Sequence, residues 1–496
     1  MRKGWLVLLV IALMVVLAAP ASAEFKLNGF YRVVPEISNY YGGAGNTQLN
    51  VPGTQAPTAA SLVKDPVTGT PGVNTNGSRP VTQMRNRLRF EVGDENVKGV
   101  TFFEIDGSFG DAGGVVGRNQ GFAANGDSIN LETKNVYLWF KVPNTPVDFT
   151  VGLQGYSDEF AGLLFSGSDQ AGIVMNVKAE PVKVRATWLK LRSDSRIGTT
   201  PVNNQYAVAG VTNVDNNAAL YSINAAFVPA KAVEITGVFS FINDSSAPGH
   251  LTGGVPQEAT GTNALRKMKA YYAGANATFN AGPAAVTGFF VYNWGTFESP
   301  LVAGASDVDI EGYAGSLRVD ANIGPGKGFL EGLYVSGDDD VTDKKYKSII
   351  TGSDYANLTS WYGRPDLYIL FPNFDMIQAA TALVLNPNNS GRGLYMFAGG
   401  YTHKLTPTLT AKIGAGYLSA VEKRKTTATN EAKGTSMGTE INANVNYNIA
   451  KGLDFGLYGA YCFLGSFYDR DATLTPTAGN SPDDLYTAYA RLNFAF

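Results

Sequence analysis

The sequence predicts an all-β fold, a transmembrane antiparallel up-and-down β-barrel of about 18 strands, with 16 as the alternative count. Three observations predict it. Segment after segment alternates apolar and polar residues with a period of two. Short turns and long polar loops take turns along the chain, which predicts short periplasmic turns and long extracellular loops. The composition fits neither a helical membrane protein nor a charged soluble globule.

The alternation is clearest in Ile441-Asn442-Ala443-Asn444-Val445-Asn446-Tyr447-Asn448-Ile449. Successive side chains of a strand point to opposite faces, so one face here is apolar and the other is all asparagine. Phe25, Leu27, Gly29, Tyr31 and Val33 alternate with Lys26, Asn28 and Arg32. Leu88 and Phe90 alternate with Arg87, Arg89 and Glu91, and Val147, Phe149, Val151 and Leu153 with Asp148, Thr150 and Gln154. Val182, Val184 and Ala186 alternate with Lys183, Arg185 and Thr187. Leu317, Val319 and Ala321 alternate with Arg318, Asp320 and Asn322, and Leu409, Ala411 and Ile413 with Thr410 and Lys412. Charges in strand interiors are costly in a packed core. They cost little on a face that lines water.

Eight tight turns are expected, near Glu95–Gly99, Pro143–Pro146, Ala179–Pro181, Pro229–Lys231, Asn280–Pro283, Gly324–Lys327, Leu405–Pro407 and Ala450–Gly452. Most carry Pro or Gly, the residues that turns need. Nine longer stretches lie between them, roughly 35–83, 108–131, 156–170, 192–217, 242–268, 295–309, 337–392, 420–436 and 464–484. Eight turns and nine loops join eighteen strands and put both ends of the chain on the periplasmic side. The strands near 284–294, 327–336 and 393–404 alternate poorly, which leaves sixteen open.

Residues 1–23 read as a secretory signal peptide and residues 24–496 as one barrel domain. Arg2 and Lys3 precede an apolar run from Trp5 to Ala19, then Pro20-Ala21-Ser22-Ala23 offers a small-residue cleavage site before Glu24. Removing Arg2 and Lys3 takes the formal charge from -3 to -5, which argues against nucleic-acid binding. Charged residues are only 16%, Tyr and Phe together number 52, and mean hydropathy is -0.06. No later apolar run is long enough for a membrane helix. A barrel with one lipid face and one wet face has this average. One cysteine, Cys462, excludes an internal disulfide, and no Cys-x-x-Cys-His occurs, so no covalent haem and no other cofactor is expected. His250 and His403 are too few for a His-based metal cluster or a Ser-His site.

Aromatics near strand ends (Tyr31, Tyr137, Trp139, Trp188, Tyr271, Tyr272, Tyr461 and Phe463) suggest girdles at the lipid–water interfaces. In the last strand Tyr486, Ala488, Ala490, Leu492, Phe494 and Phe496 share one face. A final Phe with apolar residues at every second position before it resembles the signal that the outer-membrane barrel-assembly machinery reads. Leu492, Phe494 and Phe496 would carry it.

The third long loop holds Ser157-Asp158-Glu159-Phe160-Ala161-Gly162-Leu163-Leu164-Phe165. Its Glu159-Phe160-Ala161-Gly162 stretch resembles the acidic-Phe-small-Gly segment in the third loop of Gram-negative outer-membrane porins. Asp158 replaces that family's Pro. The resemblance covers the whole length in architecture and short stretches in motif. It implies a third loop folded into the barrel, with loop acids facing wall Arg and Lys. The loop candidates are Asp158, Glu159 and Asp169. The wall candidates are Arg85, Arg87 and Arg89, at spacing two on one strand, with Arg32, Lys183 and Arg185, and further polar-face positions Arg318, Lys412 and Arg491. The alternative is structural: Glu104 and Asp106 lie across the Glu95–Gly99 hairpin and offer the arginines ion-pair partners.

The implied function is a water-filled channel for passive diffusion of ions and small hydrophilic solutes in the outer membrane, constricted by the inward third loop and without enzyme activity; a homotrimer is a separate expectation. Two alternatives remain. One is a channel selective for carboxylates or sugars, although inward aromatics such as Phe30 and Phe102 are scattered. The other is a conduit that sheathes an electron-transfer partner, given a general likeness to porin-type channels of metal-reducing deltaproteobacteria. In the longest loop, Asp338-Asp339-Asp340 reads as a solvated tip or a hard-cation site, and Leu367-Tyr368-Ile369-Leu370-Phe371 as a cap or contact segment.

Overall fold

A computed structural model of the chain describes residues 23–39, 79–109, 130–192, 217–230, 232–245, 267–298, 307–340, 343–352, 360, 362–371, 383–384, 386–389, 391–423, 434–468 and 484–496. The expected signal segment, apart from Ala23, and most of the outer loops lie outside them, as does His250.

The strands are β1 (Glu24–Ser38), β2 (Arg79–Gly93), β3 (Val97–Ser108), β4 (Asn130–Lys141), β5 (Val147–Ser157), β6 (Ser166–Ala179), β7 (Val182–Arg192), β8 (Ala218–Ala230), β9 (Val233–Asp244), β10 (Lys267–Ala281), β11 (Ala284–Glu298), β12 (Val308–Ile323), β13 (Gly326–Val335), β14 (Lys345–Tyr346), β15 (Leu394–Lys404), β16 (Leu409–Ser419), β17 (Ser436–Ala450), β18 (Leu453–Leu464) and β19 (Leu485–Ala495). Eighteen of them form the barrel wall. Each pairs antiparallel with the next, β13 bonds to β15, and β19 returns to β1 to close the ring. The two-residue β14 is not a wall strand. It pairs in parallel with the outer end of β12, where β13 has already stopped. The three poorly alternating segments are β11, β13 and β15, so the count is eighteen.

The barrel is inside out relative to a soluble protein. In β17, Ile441 is 50% and Val445 43% exposed, while Asn442 and Asn444 are 6% and 8% exposed. The apolar parity meets lipid, and the polar parity faces the lumen. Cross-strand partners share a face, so the register carries this assignment around the ring. Leu27, Phe90 and Thr101 lie in one outward row, and Arg32, Arg85 and Asp106 in one inward row.

Turn chemistry sets the periplasmic end. Asp94 Oδ1 accepts from the backbone N–H groups of Asn96 at 2.7 Å and Val97 at 2.9 Å, closing the first hairpin. Gly282, Gly324 and Gly452 have φ of 62°, 58° and 78°, where a side chain is strained. All eight expected turns join hairpins, from β2–β3 to β17–β18.

The aromatic expectation needs a correction. Tyr31, Trp188, Tyr271, Tyr461 and Phe463 do lie on the lipid face. Tyr137, Trp139 and Tyr272 face the lumen, because they pair with Val100, Lys98 and Ser240 of the inward parity. Their polar tips find partners there. Tyr137 Oη accepts from Arg89, Trp139 Nε1 donates to Asp148 Oδ1 at 3.4 Å, and Tyr272 Oη donates to the Ile350 carbonyl at 3.1 Å.

Candidate pore lining and constriction

The third loop, between β5 and β6, folds into the barrel. Its hinge is Asp158. Oδ1 accepts from the backbone N–H groups of Phe160 (2.7 Å) and Gly162 (3.0 Å), and Oδ2 from those of Leu164 (2.8 Å) and Phe165 (2.6 Å). One carboxylate thereby curls the eight-residue loop around itself. Burial pushes the Asp158 carboxyl up to about 6, against the pull of those four donors. The curl brings Phe160, Leu163, Leu164 and Phe165 together, and all four are buried. Phe160 packs on Phe289 of β11 with ring centroids 5.6 Å apart, and Phe165 meets Tyr272 of β10 edge-on at 5.4 Å. Complete burial of such side chains contributes about 1.5–3 kcal/mol each, enough to hold a short loop.

Glu159 extends from this curl. Its Oε1 is 2.9 Å from Arg185 Nη2 on β7 and accepts from Asn224 Nδ2 on β8 at 3.0 Å. Its carbonyl accepts from Asn276 Nδ2 on β10 at 2.5 Å. Arg185 also lies over the Tyr156 ring at 5.3 Å. The structure thus brings together three candidates, Asp158, Glu159 and Arg185. Asp169 belongs to β6, beyond the loop. Lys183 is at the periplasmic end of β7, 3.5 Å from Glu180.

The other wall candidates form a separate network on β1–β4. Arg85 holds Asp106 with two hydrogen bonds of 2.7 and 2.5 Å and sits 3.2 Å from Glu104. Arg87 also bonds Glu104, and Lys134 bridges Glu104 at 2.9 Å and Glu132 at 3.1 Å. Three cations and three carboxylates therefore balance in one buried patch. Arg89 stands apart, donating to Tyr137 Oη at 2.8 Å with Glu91 3.6 Å away. Arg32 donates to Asn493 at 3.2 Å and lies 4.9 Å above the Phe30 ring. Arg87 lies between the rings of Phe30 and Phe102, at 5.6 and 5.7 Å. Arginine and aromatic side chains thus interleave across β1, β2 and β3.

The sequence offers Leu367–Phe371 of the longest loop as a cap or contact segment but gives no inward course for it. The described residues of the seventh loop, between β13 and β15, cross the lumen. Ile350 N–H donates to Asn293 Oδ1 on β11 at 3.1 Å, and Gly352 N–H donates to the Leu164 carbonyl at 2.5 Å, which ties the two loops together. Tyr362 then bonds Glu331 of β13, which also accepts from Arg318 of β12 at 3.0 Å. Asp366 pairs with Lys412 of β16. Glu440 of β17 accepts from three consecutive backbone N–H groups, Tyr368 (2.6 Å), Ile369 (2.9 Å) and Leu370 (2.9 Å). The Tyr368 ring meets Tyr458 of β18 and Tyr489 of β19 edge-on, at 6.0 Å from each. Arg491, the remaining candidate, donates to Asp454 at 2.6 Å. The apolar run Leu367–Phe371 is therefore an internal plug segment. Among the described residues no group of three or more His, Cys, Asp or Glu side chains offers a metal site.

Comparison with known proteins agrees with this architecture. Of solved structures, OccK9 (OpdG) of Pseudomonas aeruginosa superposes with a TM-score of 0.51 at 11% identity, covering 95% of this chain and 98% of that one. OccAB4 of Acinetobacter baumannii gives 0.50 at 10%, with coverage of 95% and 98%. Pseudomonas aeruginosa OpdK, solved with vanillate, gives 0.50 at 10%, with the same coverages. At such identity the likeness speaks for the fold alone. No curated protein matches the chain. The family model of the Porin subfamily (Porin_2) matches residues 221–485, more than half of the chain. With its closed eighteen-strand wall, the chain belongs to this porin subfamily and is an outer-membrane channel for small solutes.

Proposed function

We propose that solutes diffuse passively along the charged β1–β4 wall, past a constriction made by the two inward loops. The observation that carries this reading is the division of the lumen. The described anchors of the third and seventh loops run from β7 round to β19, while β1–β4 present Arg32, Arg85, Arg87 and Arg89 with their acids. In the ring of eighteen, β2 lies nine places from β11, against which Phe160 packs. Glu159, on the third loop beside Arg185, would then supply a carboxylate facing the arginines across the open part of the lumen. Facing charges set a transverse field that orients dipolar solutes and biases ion choice. The wall's own carboxylates balance most of its cations, so weak anion preference is the expectation.

The test is conductance of the purified, heat-modifiable barrel in a planar bilayer. Ohmic steps with weak ion selectivity are expected, and folded protein without conductance would overturn the reading. A triple Arg85, Arg87 and Arg89 to Ala variant should move the reversal potential towards cations. This reading leaves no catalytic role: His403 lies on the lipid face, 3.2 Å from Tyr401 Oη. A homotrimer, and delivery by the barrel-assembly machinery, belong to the same proposal.

The interleaved Arg32, Phe30, Arg87 and Phe102 favour a second reading, a preference for aromatic carboxylates. The rings would stack on the solute and the guanidinium groups would meet its charge. Vanillate is a suitable probe. Concentration-dependent interruption of the current, lost in Phe30→Ala, would favour it.

A further inference from the structure

The lipid face carries a groove that the channel does not use. Two cross-strand rows form it. The upper row runs Ile173, Trp188, Tyr221 and Phe241, and the lower row Met175, Ala186, Ile223 and Phe239, on β6 to β9. Ala186 is the one small side chain among large neighbours, and the space between the rows has a volume of about 450 Å³. That lies within the range of about 300–1,000 Å³ typical of ligand sites. Its walls are exposed to the hydrocarbon, so its natural occupant is a chain of the membrane itself.

The row above sets which lipid. Two residues nearer the loops, about 7 Å along β7, Lys190 pairs in register with Ala219 of β8, which in turn faces Asn243 of β9 and then Lys269 of β10. Lys269 is held by Glu298 at 2.6 Å. Among the described residues, Lys190 bonds a neutral group, Asn217 Oδ1, at 2.8 Å, so its charge stays available. From the loops inward the surface reads cation, aromatic row, apolar groove. An anionic lipid has the same order of charge, glycerol region and chain.

We infer that this face of β6–β9 is a binding site for one phosphorylated, acyl-bearing lipid of the outer leaflet, with its chain over Ala186 and its phosphate at Lys190. The site is independent of conduction, and its test does not read current. The full chain in detergent would be given equal amounts of dimyristoyl phosphatidylglycerol and dimyristoyl phosphatidylcholine, and native mass spectrometry would count the retained lipids. One phosphatidylglycerol should be retained, preferred about fivefold, the factor for ~1 kcal/mol per basic residue near an anionic headgroup. Lys190→Gln should bring the two lipids to parity. Ala186→Leu, an apolar change on the lipid face, should lower retention of both while the barrel stays heat-modifiable. Glycerol phosphate, the headgroup without chains, should not compete. Equal retention of both lipids by the unaltered chain would overturn the inference, as would unaltered retention in both variants. A changed oligomer mass in Ala186→Leu with lipid retention unaltered would give the groove to a second copy instead, and likewise overturn it.

Discussion

Asp158 accepts four backbone N–H groups with its two oxygens. Asp158→Asn turns one oxygen into a donor that faces two donors. Hydrogen bonds to a charged group contribute about 1.5–3 kcal/mol each. Losing two should raise amide exchange across Phe160–Phe165 by about 100-fold or more and widen the conductance distribution, with the barrel still heat-modifiable. Unaltered exchange would refute the role given to this carboxylate. The arginines separate by the same residue-level reasoning. Arg85→Ala strands Asp106 in a buried patch, while Glu104 keeps Arg87 and Lys134, and should cost about 3 kcal/mol of stability. Arg89→Ala removes a half-exposed cation and should cost under ~1 kcal/mol. Both should move the reversal potential towards cations. Thermal unfolding beside reversal potential distinguishes them, and equal destabilisation would count against the network as described.

At the scale of the element, the seventh loop depends on Glu440 for its course. Its three accepted N–H groups come from residues about seventy positions away in sequence. Glu440→Ala should free Leu367–Phe371, raise amide exchange there by about 1,000-fold or more, and increase single-channel conductance. Glu440→Gln should fall between. Strand β17 itself should stay protected, and exchange that rises equally along it would point to a damaged wall instead. The strands were legible in the sequence because lipid and water impose opposite chemistry on alternate residues. The second inward loop was not, because a contact between Glu440 and Tyr368 leaves no period to detect. Tyr137 and Trp139 were misplaced although the signal was there: Val136, Leu138 and Phe140 form the apolar parity beside them. For Tyr272, beside Tyr271, no such signal existed. The ion pairs of Arg85 and Arg87 were foreseeable from the hairpin, since β2 and β3 place Asp106 and Glu104 directly opposite.

For the whole molecule the decisive junction is between β1 and β19. Gly29 and Phe496 exchange two backbone hydrogen bonds of 3.0 Å, and the Phe496 ring stacks near Tyr31 at 5.9 Å. A Cβ on Gly29 would lie 3.1 Å from that ring and 2.2 Å from the Arg87 carbonyl, so this position has to be glycine. Deleting Phe496 should lower the yield of heat-modifiable barrel in cells several-fold. Refolding into detergent should lose only the two seam bonds, about 1–3 kcal/mol. Equal yields with and without Phe496 would remove it from assembly.

A sheet with free edges absorbs an extra residue by letting its outermost strand slide. A hoop has no outermost strand. A residue inserted in mid-strand must be expelled as a kink or passed from neighbour to neighbour until Gly29 and Phe496 no longer meet. Six irregularities already vent such offsets, at Phe102/Phe103, Gln154/Tyr156, Lys190/Arg192, Phe227/Ala230, Leu418/Ser419 and Asn448/Ala450. Between Leu453 and Val92, through the seam, the pairings β18–β19 and β1–β2 show no such vent. That arc is one of two long unvented stretches of the hoop, β9 to β16 being the other, and it carries Arg32, Arg85, Arg87 and Arg89. The chain can therefore lengthen its outer loops freely, while the spacing of the charges it presents to a passing solute is fixed by the circumference.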